Sequence, residues 1–291
     1  MATELKLRAG KVRWAALPAA VAALVLSTAC FGATPTTATA SSPGTSLQLE
    51  ELTWTELRDR QTAGTTTVLV PIGGTEQSGP HMALGKHNTR VRLLAGLIAQ
   101  QLGHAVVAPV LAYVPEGAIS PPTAHMRFTG TLSIPDAVFE ALLEATARSL
   151  RQHGFRELAL LGDHGGYQKS LEKVANKLNH EWAGDAGPRC RVHALVEYYH
   201  ASLAGHAELL AARGFGAAEI GSHAGLADTA LMLATDPTLV RRDQLARAAK
   251  AGASEGVAGD PRRATAELGQ IGVDRIVEAS VAALKTRIAA R

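Results

Sequence analysis

The chain has 291 residues, 46% of them hydrophobic, with 29 basic and 26 acidic residues and a sequence pI near 9.0. Residues 1–40 hold four of the basic residues and one of the acidic ones, so the remainder is balanced at 25 of each and presents no basic field for nucleic acid. Aromatic residues make up 4% of the chain, too few for base-stacking platforms, and Cys190 is the only cysteine beyond residue 30, which excludes an internal disulfide in the body.

In chain order, Lys6, Arg8, Lys11 and Arg13 precede an apolar run from Trp14 to Cys30. A basic segment followed by an apolar one is the pattern of an export signal. The run falls short of the ~20 apolar residues of a spanning helix and is interrupted by Pro18. A cleaved signal is therefore expected, without a transmembrane domain. Ala38-Thr39-Ala40 offers a small-x-small cleavage site, whereas Ser27-Thr28-Ala29-Cys30 resembles a bacterial lipoprotein box that would anchor the protein to a membrane through Cys30. The expected organisation is an export signal over 1–30, a flexible tether of Ala, Thr, Ser and Pro over 31–48, and one domain over 49–291. The expected location is the periplasm or the medium.

Short apolar runs then alternate with amphipathic segments. Strands are predicted at 66–73, 105–111, 157–162 and 191–199, and helices near 88–102, 135–153, 167–181 and 201–213. This alternation predicts an α/β fold: a three-layer α/β/α sandwich with a mostly parallel central sheet. Ligands in such folds bind beyond the carboxyl ends of the strands, so the loops after Ile72 and Leu161 are expected to meet.

Four segments carry reactive side chains. The loop "GGTEQSGPHMALGKHNTR" holds Glu76, Ser78, His81 and His87; "PPTAHMRFTGT" holds His125; "LLGDHGGYQKS" holds Asp163, His164 and Tyr167; and "GSHAGLADTA" holds His223 and Asp228. Imidazole and carboxylate groups at strand ends suit a divalent ion such as Zn, Mn or Fe. Glu76, His87 and His164 would form an open three-ligand site, with His223 or Asp228 managing a proton. Each residue also has an ordinary structural reading: His164 as a hydrogen-bonded strand end, Asp228 as a helix cap, Ser78 as a loop tie. Spacing alone does not separate the two.

"PIGGTEQSGPHMALG" resembles the creatininase signature, in which Pro-x-Gly leads into Glu-Gln-His-Gly-Pro-His-Leu-Pro-Leu with an Asp soon after. "AHMRFTGTLSI" is similar to that family's His-x-x-Phe-Pro-Gly-Thr segment, and "HGFRELALLGDHGGY" to its His-Gly-Phe-Arg strand and Asn-Gly-His-Gly-Gly-Asn turn. "GSHAGLADTA" resembles its His-Ala-Gly-Glu-x-Glu-Thr-Ser motif, and "GVAGDPRRAT" its late Gly-x-Gly-Asp-Pro element. The order is kept across residues 50–286.

The resemblance implies a metal-dependent amidohydrolase, often a homo-oligomer, that opens cyclic amides or cuts linear carbon–nitrogen bonds with two metal ions. Carried over residue by residue, Glu76 and His164 match family ligands and His223 matches the proton-transfer histidine. Ser78 stands where the family has a ligand His, and His87 where it has the Asp that bridges the two ions. Asp228 shortens the family Glu, Leu226 replaces another, Tyr167 replaces Asn, and Asp163 replaces Gly. An imidazole nitrogen does not bridge two ions as a carboxylate can. The expectation is thus a single-metal hydrolase of a small-molecule amide, Zn before Fe or Mn, held by Glu76, His87 and His164. His223 and Asp228 are expected to be catalytic, and Ser78, His81, His125, Asp163 and Tyr167 to orient ligands or substrate. The alternative is a family member that has lost catalysis and serves as a periplasmic small-molecule binder.

Overall fold

The structure, a computed structural model, describes residues 46–187 and 189–290; the expected export signal, Cys30 and most of the tether lie outside the described residues. Among the described residues, no helix is long and apolar enough to cross a membrane. Thr53 opens helix α1 (Trp54–Thr62) with a capping box, its side chain accepting from the Glu56 amide while Glu56 bonds back to the Thr53 amide.

Four strands follow, of which the first three are apolar runs almost without polar alternation, the pattern of strands covered on both faces. They are β1 (Thr67–Ile72), β2 (Ala105–Val107), β3 (Glu157–Gly162) and β4 (Arg191–Ala194). They form one all-parallel sheet in the order β2-β1-β3-β4. Register is full between the two central strands, from Thr67 against Glu157 to Ile72 against Gly162. Leu47 and Gln48, expected in the tether, instead lie along the sheet edge, where the Val107 amide donates to the Leu47 carbonyl.

The period-2 geometry of β1 divides its side chains between two cores. Val68, Val70 and Ile72 pack with Phe139, Leu143 and Ala147 of α3 (Asp136–Gln152) and Leu171, Val174 and Leu178 of α4 (Gln168–Trp182). Leu69 faces the other way, toward Val91, Leu94 and Ile98 of α2 (Lys86–Leu102), and toward Ile276 and Val277 of the C-terminal helix, Ala266–Ala289. The expected three layers are therefore present, with the sheet buried between helix pairs.

The strand predicted over 191–199 stops at Ala194, and a short helix, Val196–His200, takes its place. The β-favouring pair Tyr198-Tyr199 is overridden by packing: Tyr198 is fully buried in the second core and its hydroxyl donates to Asp163 Oδ1 at 2.6 Å. The strand predicted over 105–111 likewise pairs regularly only to Val107, then makes one isolated bridge at Leu111. A third cluster, of Met82, Leu210, Ile220, Leu226, Met232 and Val257, surrounds the helix Leu226–Thr235. The C-terminal helix can lie against it because Gly269 has no side chain; a Cβ there would fall 1.8 Å from the Ala230 carbonyl oxygen.

Candidate metal centre

Strands β1 and β3 end side by side, and the Asp163 amide donates to the Ile72 carbonyl at 3.0 Å, so the two histidine-bearing loops meet as expected. The Tyr167 hydroxyl locks that junction. Its single proton is shared between the carbonyls of Ile72 (2.8 Å) and Gly73 (2.7 Å), and its oxygen accepts from the amides of Asp163 and His164, each at 3.1 Å. Tyr167 is therefore a strut beneath the loops, buried against Phe139.

Two further segments fold over the strand ends. The chain after β2 turns inward at Val114 and delivers Glu116, whose amide donates to Ser133 Oγ at 2.9 Å. His125 follows on the turn Ala124–Arg127, and Thr131 accepts the Gln77 amide at 3.1 Å, tying this segment to the first loop. His223 is held from the other side by a bridge to Ala258, in the late glycine-containing element, with amide–carbonyl bonds in both directions.

Glu76 is the centre of the arrangement, and its two oxygens have different surroundings. Oε1 lies 2.7 Å from His87 Nε2, 3.5 Å from Lys86 Nζ and 3.7 Å from His223 Nδ1. Oε2 lies 3.1 Å from His125 Nε2 and 3.5 Å from His164 Nε2, without the alignment of a hydrogen bond to either. Both Glu116 oxygens are likewise buried without a hydrogen-bond partner. Glu76, Glu116, His125 and His164 each offer one ligand atom, all within 4.8 Å of one another. Buried carboxylate oxygens are normally satisfied, so three orphaned ones pointing into a cluster of imidazoles fit a divalent cation.

Electrostatics agree with that reading. Burial and the neighbouring Glu76 charge push the Glu116 carboxyl up to about 9. Burial opposes ionisation of Glu76, but the Lys86 charge and the hydrogen bond with His87 outweigh it and hold this carboxyl far below its ordinary range. Burial lowers His164 to about 3 and His223 to about 4, and depresses His125 as well. Neutral imidazoles of this kind are competent ligands and proton acceptors.

The expected residues thus divide. Glu76, His164 and His125 converge, joined by Glu116, which belongs to none of the four reactive segments of the sequence. His87 lies on the other oxygen of Glu76 and spans to Asp163, its Nδ1 2.6 Å from Oδ2, so both ring nitrogens face carboxylates. Asp228 accepts from Lys86 Nζ and, at 2.6 Å, from Arg90 Nη1; these two cations hold its carboxyl well below its usual range against the effect of burial. Asp163 accepts from Arg90 and Tyr198 besides facing His87. Ser78 is buried with no partner for its hydroxyl, and His81 reaches Thr229 Oγ1 at 2.9 Å, away from the cluster. Gln77 approaches both His125 Nδ1 (3.1 Å) and His223 Nε2 (3.2 Å). A cavity of about 230 Å³ opens over the cluster, lined among others by Lys86, His125, His164, Tyr199, His223 and Asp228.

Lys86 and Arg90 drew no notice in the sequence because basic residues on a helix are ordinarily solvated. A signal did exist: Lys86 and His87 open a helix with no acidic residue in its first turn, against the preference of a helix N-terminus.

A sequence profile of the creatininase family, described as creatinine amidohydrolase, matches residues 50–284. The mycofactocin precursor peptide peptidase of Mycolicibacterium smegmatis is 30% identical over 224 residues, covering 70% of this chain and 78% of that protein. The creatinine amidohydrolase of Pseudomonas putida is 28% identical over 201 residues, covering 67% and 74%. Among solved structures, a manganese creatininase superposes with a TM-score of 0.65 at 25% identity, covering 83% of this chain and 98% of that one. A mutant creatininase of Zn–Zn type gives 0.64 at 25% identity with the same coverage.

Proposed function

The chain belongs to the creatininase family, and from that premise we propose that it is an exported, metal-dependent hydrolase of an amide carbon–nitrogen bond, working with one divalent ion. The observation that carries this reading is the set of orphaned carboxylate oxygens on Glu76 and Glu116 facing His125 and His164. In this reading those four residues hold the ion, and His87 acts through Glu76 and Asp163 rather than as a ligand. Two carboxylates and two imidazoles suit Zn first and accommodate Mn or Fe.

When bound, the ion supplies Lewis acidity at the floor of the cavity. The protein's own groups do the rest. His223, neutral because burial lowers it to about 4, takes up the proton released as a water is activated and returns it to the leaving nitrogen. Gln77 bonds to both His125 and His223 and fixes their ring orientations. Asp228 binds Lys86 and Arg90 too firmly to serve as a base, so its role is to position these cations. The relatives point to two substrate classes, small cyclic amides and peptides, and the cavity admits a compact amide group of either.

The test is metal analysis of the purified protein, followed by a turnover screen over creatinine, small lactams and short peptides. One ion per chain, loss of thermal stability on chelation and turnover of an amide are the expected results. A protein that holds no ion and keeps its melting temperature in chelator refutes the proposal. Retention of the ion with ligand binding but no turnover across the screen would instead establish a binding protein.

A further inference from the structure

Lys86 is the least expected side chain in the protein: a lysine 1% exposed, on the first residue of a helix whose N-terminus repels cations. Burying an ammonium costs several kcal/mol unless close carboxylates offset it. Here two do. Lys86 Nζ donates to Asp228 Oδ2 and lies 3.5 Å from Glu76 Oε1. Asp228 is bound on its other oxygen by Arg90, and Arg90 in turn pairs with Asp163, which faces His87.

Glu76 therefore lies between two cation positions. Its Oε2 faces the ligand cluster, and its Oε1 faces Lys86. A carboxylate in this posture is what a two-ion centre would use as a shared ligand, with Asp228 as a terminal ligand of the second ion. We propose that the Lys86 ammonium is a resident cation in that second position, so that the centre consists of one exchangeable ion and one covalently tethered positive charge. The substitutions at Ser78 and His87 fit the same picture. An ammonium needs acceptors and no imidazole ligand, so Ser78 can remain a buried hydroxyl without a partner. His87, with both nitrogens on carboxylates, cross-links Glu76 to Asp163. Lys86 also lines the cavity, where its charge is available to a substrate carbonyl or carboxylate.

This inference rests on the one-ion reading above, and the experiment separates the two by counting an increment. Wild type and Lys86→Met are stripped with chelator, dialysed against Zn²⁺ or Mn²⁺, and assayed for bound metal and melting temperature. Lys86→Met removes the cation shared by Glu76 Oε1 and Asp228 Oδ2, leaving His87 on the first and Arg90 on the other Asp228 oxygen, and is expected to bind one more ion per chain than wild type. Lys86→Arg keeps the charge and is expected to match wild type, and Lys86→Met with Asp228→Asn to lose the extra ion. A wild type that binds no ion defeats the proposed function, yet a rise from none to one in Lys86→Met would still support the resident cation. An unchanged count in folded Lys86→Met overturns it. If Lys86→Met folds only when refolded with millimolar divalent ion, the ion has replaced the ammonium and the proposal stands; failure to refold with the ion overturns it.

Discussion

Glu116 gives the sharpest separation between a ligand and a structural acid. Neither of its oxygens accepts a hydrogen bond, and burial beside Glu76 pushes its carboxyl up to about 9. In chelated protein Glu116→Gln replaces an acid held neutral at pH 7 by an amide of the same size, so the stability loss is expected to stay near the ~1 kcal/mol typical of single substitutions. With metal present the same substitution deletes a carboxylate ligand. A loss of at least about 10- to 100-fold in affinity, the scale for substituting the outer-shell partners of metal ligands, is ~1.4–2.7 kcal/mol of lost ligand stabilisation at saturating ion. For a domain of this size, that is a deficit of about 3–10 °C in melting temperature. The assay is paired thermal unfolding of wild type and variant, each with chelator and with Zn²⁺. Equal destabilisation of the variant in both conditions would show that Glu116 supports the fold and not an ion.

Other residues yield independent tests. Burial lowers His81 to about 4 from the ordinary 6.5, so the unfolded chain takes up its proton first and stability falls as pH drops through that window. The gap corresponds to about 3 kcal/mol, and urea unfolding of His81→Gln from pH 7 to 4 should show a pH slope flattened by about that much. Tyr167→Phe removes the hydroxyl bonded to the Gly73 carbonyl and the His164 amide, while the Asp163 amide and the Ile72 carbonyl keep each other; at about 1–3 kcal/mol for each buried group left unsatisfied, chemical denaturation should register the loss, with weaker metal binding alongside. Gly74 has φ +151°, and a Cβ there would lie 2.5 Å from Glu116 Oε1. Gly74→Ala should consequently lower metal affinity, read by competition with a chromophoric chelator, by more than it lowers stability of the chelated protein.

The layers and the meeting of the two histidine loops were legible because they follow from local pattern: apolar runs too short for helices, separated by amphipathic segments. The end of β4 was not, since "LVEYY" has strong strand character, and only the docking of Tyr198 under Asp163 makes it helical. At the site, Glu76 and His164 are legible as reactive residues at strand ends, and His125 as one on a connection. Glu116 is not, because its role depends on an irregular connection turning inward over those ends, which no periodicity encodes. His87 looked like a ligand by spacing. Its neighbours Asp163 and Arg90 come from another strand end and from the next turn of its own helix, and pairing across such distances cannot be read from one stretch of chain. The alternation of Lys86, Arg90, Asp163 and Asp228 is a tertiary pattern in the same sense.

The Tyr167 hydroxyl has a consequence for how this protein can change. Because the segments carrying Glu76 and His164 are both stitched to one phenolic oxygen, the spacing between these two side chains is referenced to the sheet and not to the loops above it. Around Glu116, His125 and His223, which stay fixed, the other positions of the connection from Tyr113 to Thr131 and of the segment near His223 can then vary in composition while that spacing is kept. Such a partition lets substrate preference drift by mutation of the roof, and it directs library design for new amide substrates to the positions of those two segments other than Glu116, His125 and His223, with the strand-end floor left intact.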